Sequence, residues 1–216
     1  MATDYTKIER LLIERLSIAH SKKAPIRAKF FEKEFAFFKK HIRGKNVFVA
    51  GSGLGHDAME LAQYNNNVVG VEILPNLVSY SNKKKLPNTT FICSDFLKND
   101  FGKFDVSVLN MGTIGNFDDK GSVIKSLLEK ASKVYLDFYI PTCFEERMQM
   151  YEEEGWKNVT EKNGVLSNFE GFESKSITRK EMEKIILNIG ATARFYRLNE
   201  FTMMVEIEKK TIIIHK

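Results

Sequence analysis

The run V-F-V-A-G-S-G-L-G-H-D, from Val47 to Asp57, decides the fold. Its first residues are apolar with no polar alternation, as expected of a parallel strand buried on both faces. Gly51, Gly53 and Gly55 follow with Ser52 between the first two, and His56 to Tyr64 then reads as a helix with Ala58, Leu61 and Ala62 on one side. A strand that breaks into a glycine turn and opens a helix is the setting a nucleotide-binding turn requires. The first glycine lets the chain reverse. The second removes a side chain where a ligand approaches the backbone, and the third allows helix to pack closely on strand. The helix start supplies unpaired N–H groups and a partial positive charge. The spacing is G-x-G-x-G, with His56 and Asp57 following, so the dinucleotide fingerprint G-x-G-x-x-G is not met.

Working outward, strand and helix alternate for about 90 residues. After the turn Asn65-Asn66-Asn67 comes the apolar strand Val68 to Glu72, then a helix from about Pro75 to Lys85. The strand Thr90 to Cys93 follows, then the strand Phe104 to Leu109, a helix over 119–131 and the strand Lys133 to Tyr139. Alternation of this kind predicts a doubly wound, mostly parallel α/β sheet. Near the C-terminus Thr178 and Glu181 have capping-box spacing at the start of a helix running to Asn188. Two β-rich runs, Thr192 to Leu198 and Phe201 to Ile207, are separated by Asn199 and Glu200 and predict an antiparallel hairpin. The fold class is thus α/β: seven strands, the last two an antiparallel C-terminal pair, with N-terminal helices and a small insertion after the fifth strand.

The expected organisation is a helical segment over 1–43 packed on a Rossmann-like domain over 44–216, with the insertion at about 142–176. In the helical segment Ile8, Leu11, Leu12, Leu16 and Ile18 recur at roughly helical spacing. Pro25 stands at a first-turn position of a second helix, whose Phe31, Phe35, Phe38 and Ile42, broadened by Phe30 and Phe37, form a core-facing stripe or part of a lid. The insertion, part helix and part hairpin, carries Trp156, Phe169 and Phe172. These side chains either close a pocket above the strand ends or pack the insertion onto the sheet.

Composition is that of a globular chain, 43% hydrophobic and 28% charged over 216 residues. No apolar run approaches the roughly 18 to 20 residues that span a bilayer, and the N-terminus lacks the pattern of a signal peptide. The two cysteines, Cys93 and Cys143, form no CxxC pair, so neither a disulfide framework nor a metal site is expected, and the simplest compartment is the cytoplasm. The formal charge of +5 is uneven: residues 1–45 hold 12 Lys or Arg against 5 Asp or Glu. A basic N-terminal segment is either a solvated helix surface or a nucleic-acid footprint, and no RGG, zinc-knuckle or RNP-type motif sharpens the second reading.

Glu72 lies 21 residues after Gly51, at the end of the second strand, where an acid accepts hydrogen bonds from both ribose hydroxyls of a bound nucleoside. With this spacing the chain resembles the class I S-adenosylmethionine-dependent methyltransferases. Gly51, Gly53 and Gly55 match the family's first motif and Glu72 its second-strand acid. Asp95, in C-S-D-F, matches the acid that reads the adenine amino group, with Phe96 beside the ring. Phe104 to Asn110 looks like the fourth-strand motif, and 178–207 like the closing helix and antiparallel pair. The resemblance covers roughly residues 44–140 and 176–208. It implies S-adenosyl-L-methionine as cofactor, held by Gly51, Ser52, Gly53, Gly55, Glu72, Ile73, Asp95, Phe96, Asn110 and Met111. One position departs: where many members carry Asp or Glu two residues before the first glycine, this chain has Val49, and Asp57 or a backbone carbonyl near Gly51 would have to compensate.

The implied activity is methyl transfer, most simply to a nitrogen or oxygen of a small molecule by a monomer or homodimer. The segment Asn110 to Phe117 lacks the N-P-P-Y pattern of enzymes that methylate amino groups of bases or glutamine, and Cys143 in P-T-C is out of place for a cytosine-C5 nucleophile. G-T-I-G-N-F instead looks like the loop of small-molecule N-methyltransferases. Thr113 and Asn116 there offer polar groups to an acceptor, and Tyr139 at the fifth strand's end would face the transferred methyl or accept a proton. The alternative is an RNA or protein methyltransferase docking through the basic N-terminal segment. A nicotinamide enzyme is disfavoured by the glycine spacing, and a nonenzymatic or polyamine-synthase-like relative is kept open by Val49.

Overall fold

A computed structural model describes residues 9–210. Ile8 of the first apolar pattern lies outside them. Two helices lead, α1 Glu9–Ala19 and α2 Pro25–His41. The alternating unit then runs β1 Asn46–Ala50, α3 His56–Ala62, β2 Asn67–Glu72, α4 Pro75–Lys84, β3 Thr89–Cys93, β4 Phe104–Leu109, α5 Lys120–Lys130 and β5 Ala131–Tyr139. The insertion supplies α6 Phe144–Glu153 and three short strands, β6 Thr160–Lys162, β7 Val165–Ser167 and β8 Glu173–Lys175. The chain closes with α7 Arg179–Asn188, β9 Ala191–Arg197 and β10 Thr202–Lys209.

The main sheet has seven strands in the order β3-β2-β1-β4-β5-β10-β9. The five strands from β3 to β5 are parallel; β10 runs antiparallel to both β5 and β9. This is the expected doubly wound sheet with its C-terminal pair. The order reverses between β1 and β4, and at such a switch point the connections leave to opposite faces, opening a crevice at the carboxyl ends of the strands.

The unbroken apolar strands are explained by two cores. On one face Phe48, Ala50, Leu109, Leu136 and Val205 pack against Ile124 and Leu127 of α5 and Met182 and Ile186 of α7. On the other, Val47, Val49, Val106, Val108 and Tyr135 pack against Phe30, Phe31, Phe37 and Phe38 of α2 and Ala58 and Leu61 of α3. Neighbouring strand residues therefore serve opposite cores, which explains the apolar runs; Ser107 of β4 and Asp137 of β5 are nonetheless buried and polar.

The α2 stripe differs from expectation in one respect. Phe35 is only half-buried, while two charged residues, Arg27 and Glu34, are fully buried in phase with the phenylalanines. At i and i+7 they occupy the same helical face as Phe30, Phe31 and Phe38. Capping of α7 follows the sequence: Thr178 Oγ1 accepts from the Glu181 backbone N–H, and Glu181 accepts from the Thr178 N–H. The hairpin connection is longer than two residues, because β9 ends at Arg197 and β10 begins at Thr202. Phe201 is drawn out of the strand into the core, 2% exposed, and packs near Tyr139.

In the insertion a helix is joined by a three-stranded sheet, β6-β7-β8, rather than a hairpin. Its own core gathers Met150, Tyr151, Trp156, Leu166 and Phe172 with Tyr139 and Phe201 of the main domain. Phe169 takes no part; it is 76% exposed at the turn between β7 and β8. The first helix lies across the glycine turn: Leu12, Ile13 and Leu16 meet Leu54, Leu74 and Leu77, and Glu9 accepts hydrogen bonds from the backbone and side-chain nitrogens of Asn76, each 2.9 Å. Among the described residues no helix is long and apolar enough to cross a membrane.

Candidate functional site

A cavity of about 380 Å³ opens at the carboxyl ends of the strands. Its floor is the glycine turn. Gly51, Gly53 and Gly55 all have positive φ, +62°, +52° and +79°, a backbone region that penalises any side chain. Their surroundings separate their roles. A Cβ on Gly55 would lie 2.6 Å from the Phe91 ring, so this glycine is required for packing α3 on the sheet, and it does not line the cavity. A Cβ on Gly51 or Gly53 would meet nothing closer than 3.7 Å, from Thr113 and Leu16 across the cavity. Packing within the protein does not demand those two glycines; the space they leave is cavity.

Glu72 ties the turn to the end of β2. Its Oε2 accepts from the Gly53 N–H at 3.0 Å, and its Oε1 accepts from the N–H groups of Ile73 and Leu74 at 2.8 and 3.0 Å. Burial pushes the Glu72 pKa up, and the three N–H donors work against that rise. Beyond β3, Asp95 accepts from the Leu97 N–H and pairs with Lys98 at 3.2 Å. Phe96 stands edge-on to Phe117 at 6.0 Å. Ile73 and Leu97 line the cavity with large apolar side chains that are 59% and 40% exposed.

After β4 the chain turns through two left-handed residues, Met111 and Gly112, into a short 3-10 turn, Thr113–Asn116. Asn110 donates from Nδ2 to Asp57 Oδ2 at 3.2 Å, Thr113 donates from Oγ1 to the Asn110 carbonyl, and the Gly112 N–H donates to Asp137 Oδ1 at 2.8 Å. Asn110, Met111, Thr113 and Asn116 all line the cavity. So do Gly51, Ser52, Gly53, Glu72, Ile73, Asp95 and Phe96. Val49 does not; it is 1% exposed in the core beneath α2.

Tyr139 requires correction. It is 1% exposed, does not line the cavity, and its ring packs under Gly112, where a Cβ would strike it. Its hydroxyl accepts from Arg27 Nη1 at 2.8 Å, and burial holds its pKa well above the ordinary tyrosine value. A phenol so placed neither faces a transferred methyl nor takes up a proton.

Of the insertion residues offered as closing a pocket, Trp156 and Phe172 line the cavity and Phe169 does not, and the sequence reading did not single out the other members of this wall. Leu12 and Leu16 of α1, His20, Arg27 of α2, and Tyr151, Glu154, Trp156 and Phe172 of the insertion all line the same cavity. Arg27 is the hub: Nε donates to Glu154 Oε1 at 2.6 Å, and its guanidinium lies within 6 Å of the rings of Phe30, Phe31 and Tyr151. Trp156 and Phe172 stack at 4.8 Å. His20 is sandwiched between Phe31 at 4.2 Å and His56 at 3.7 Å; burial, with the neighbouring His56 and Arg27, pushes its pKa down to about 2, so the ring is neutral. Asp57 at the cavity wall is crowded by Glu34 and Asp137, which do not line the cavity, and burial raises the pKa of all three, that of Asp57 to about 6. The available signal was two charges, Arg27 and Glu34, spaced seven apart in phase with a phenylalanine stripe.

No protein-family model matches the chain, and no curated protein sequence does. Solved structures match over nearly the whole chain. Magnesium protoporphyrin IX methyltransferase from Synechocystis PCC 6803, with bound SAH, is 16% identical, with 96% of this chain and 97% of that one covered at a TM-score of 0.69. A DhpI–SAH complex is 12% identical over 96% and 97% of the two chains, TM-score 0.69. The glycopeptide N-methyltransferase MtfA, complexed with S-adenosyl-L-methionine, is 12% identical over 82% and 86%, TM-score 0.61. The chain has the Rossmann-like fold of the S-adenosylmethionine-dependent methyltransferases.

Proposed function

We propose that this chain is an S-adenosylmethionine-dependent methyltransferase whose acceptor is a nitrogen or oxygen of a small molecule. The observation that carries the reading is the carboxylate of Glu72 fastened to the Gly53 N–H at the floor of a cavity that Gly51 and Gly53 keep open. A nucleoside ribose fits there: the Glu72 oxygens accept hydroxyl protons while the N–H donors hold the carboxylate in place. Asp95, with Phe96 and Leu97, stands one strand further on, where the adenine of such a nucleoside would lie.

When bound, the sulfonium cofactor supplies an already activated methyl group. The protein's share is alignment and exclusion of water. Leu12 and Leu16 cover the glycine turn, and Trp156 and Phe172, against whose cluster Leu12 packs, line the same cavity of about 380 Å³, which suits a small acceptor. Thr113 and Asn116 are proposed to orient it. The Thr113 proton is committed to the Asn110 carbonyl, which leaves the hydroxyl oxygen to accept from an acceptor N–H or O–H. Asn116 lines the cavity from the other end of the same 3-10 turn.

The test is a screen of small amines, carboxylic acids and phenols with the protein and S-adenosylmethionine, read by mass spectrometry. The expected result is a methylated product of at least one small acceptor. Methylation confined to added RNA or protein, with binding that weakens steeply as salt rises, would contradict it.

A further inference from the structure

The insertion buries a second cation. Arg147 of α6 is 0% exposed, and among the described residues it forms no ion pair. Its Nη1 donates to Ser176 Oγ at 2.6 Å, and its Nη2 to the Ser174 carbonyl at 2.9 Å and Ser174 Oγ at 3.3 Å. Its Nε is buried without a partner. The guanidinium lies over the rings of Tyr139 at 4.7 Å and Phe144 at 5.6 Å. Burial lowers its pKa, and Glu161, on the exposed β6, favours the charge only from a distance. Arginine nevertheless stays charged, and a buried charge without a counter-charge is costly. The other cations at this end of the cavity are matched, Arg27 with Glu154 at 2.6 Å and Lys175 with Glu173 at 3.6 Å.

Two hydroxyls carry the influence of Arg147 to the cavity. Ser174 and Tyr151 both line it, and their hydroxyl oxygens are 2.7 Å apart. One hydroxyl proton serves the bond between them. Ser174 Oγ already accepts from Arg147, and among the described residues neither hydroxyl has a further acceptor. Whichever way the bond runs, the second proton is left to donate. A hydroxyl backed by a buried cation donates best to an anion. The fold also says which part of the cavity this is. A Cβ on Gly115 would lie 2.6 Å from the Lys175 carbonyl, so β8 packs directly on the 3-10 turn Thr113–Asn116. Ser174 of β8 therefore belongs with Thr113 and Asn116, whereas Glu72 and Asp95 follow β2 and β3, at the other end of the strand order.

We infer that the methyl acceptor carries a carboxylate, which receives the remaining proton of the Ser174–Tyr151 pair and answers the charge of Arg147 behind it. This rests on the small-molecule methyltransferase reading above and names the class of its acceptor. Arg147 does not touch the acceptor; it is a positioning residue that acts through Ser174. A carboxylate oxygen engaged in this way is a weakened nucleophile. It serves as the handle that orients the molecule, and a second nitrogen or oxygen, held at Thr113, takes the methyl.

The test is calorimetry on the full chain saturated with S-adenosylhomocysteine, comparing benzoate, benzamide and benzylamine. The three share a ring that suits the wall of Trp156 and Phe172 and differ in charge. Benzoate is expected to bind roughly tenfold or more tightly than the other two, as for a charged hydrogen bond. Arg147→Gln should bring benzoate to the level of benzamide, and Arg147→Lys, which keeps the charge, should restore part of the preference. The double variant Ser174→Ala/Tyr151→Phe, which leaves the arginine in place, should abolish the preference too, and decides the matter should Arg147→Gln not fold. A structural role alone would not move the ratio of benzoate to benzamide affinity. No binding of benzoate by the parent, binding no tighter than that of benzamide or benzylamine, or a preference that survives in the double variant would overturn the carboxylate assignment. None of these touches the methyltransferase reading. Failure of the parent to bind S-adenosylhomocysteine would overturn that reading, and the assignment with it.

Discussion

Arg27 Nε and Glu154 Oε1 lie 2.6 Å apart across 127 residues of sequence, both side chains almost fully buried. This pair joins α2 to the end of α6, and the Ile26 N–H, donating to Glu153 at 2.9 Å, repeats the link beside it. Removing one partner of a buried pair strands the other charge, at a cost of about 3–5 kcal/mol. Glu154→Ala is expected to lower stability by that order in urea unfolding. Glu14→Ala, whose side chain is 63% exposed beside Arg15, should change it by less than about 1 kcal/mol. Equal effects of the two would contradict a structural role for the Arg27–Glu154 link.

The glycines of the turn should separate by assay. Gly55→Ala forces a Cβ to within 2.6 Å of Phe91 at a φ of +79°, combining overpacking of about 1–3 kcal/mol with left-handed strain of about 1–2 kcal/mol. Its melting temperature should fall markedly. Gly53→Ala carries only the strain, since the nearest atom is 3.7 Å away, but puts a methyl into the cavity, so it should lose cofactor affinity by a larger factor than Gly55→Ala does. Reversal of that order, read by thermal melts and S-adenosylhomocysteine titration, would remove the division of roles.

His20 makes a prediction about acid. Its pKa falls from 6.5 in the unfolded chain to about 2 when folded, so below pH 6.5 the unfolded state binds the extra proton and folding loses stability as pH drops. The slope is about 1.4 kcal/mol per pH unit. Asp57 acts oppositely: raised from 3.8 to about 6, its penalty is absent below pH 3.8 and grows as pH rises to about 6. The two slopes offset each other in the parent protein. His20→Phe removes the His20 contribution, so this variant should gain stability relative to the parent as pH is lowered from 6.5 to 4.5. Parallel stability curves for the two over that range would show that His20 is not buried neutral.

Within the insertion, Phe172 is 8% exposed and packs on Tyr151 and Trp156 at 4.5 and 4.8 Å, whereas Phe169 is 76% exposed. Phe172→Ala should cost about 3–5 kcal/mol; Phe169→Ser should stay within about 0.5 kcal/mol. Chemical denaturation of both variants decides it, and a large loss from Phe169→Ser would place that ring in a contact absent from the structure.

These residues also mark where the sequence is legible. Val47 to Asp57 and the uninterrupted apolar strands announce a two-sided parallel sheet, because burial on both faces leaves no room for polar alternation. Gly51, Gly53 and Glu72 follow from their spacing and Asp95 from the family resemblance, and the structure brings all four to one cavity. Arg27 escaped because apolar counting along α2 discards charged positions even when they fall on the buried face. Tyr139 misled because a strand end locates a residue along the sheet but not the depth of its side chain. The strands β6 to β8 gave no pattern, each being three residues long and β6 exposed throughout.

The central claim is that an adenosyl ligand sits on Glu72 over Gly53. Calorimetric titration with S-adenosylmethionine, on the parent and on Glu72→Ala, tests it most directly. The account predicts a single site per chain, weakened at least roughly tenfold when the carboxylate is removed, in a variant whose circular dichroism still shows the fold. No measurable binding by the parent, or equal affinity in a folded Glu72→Ala, would contradict it.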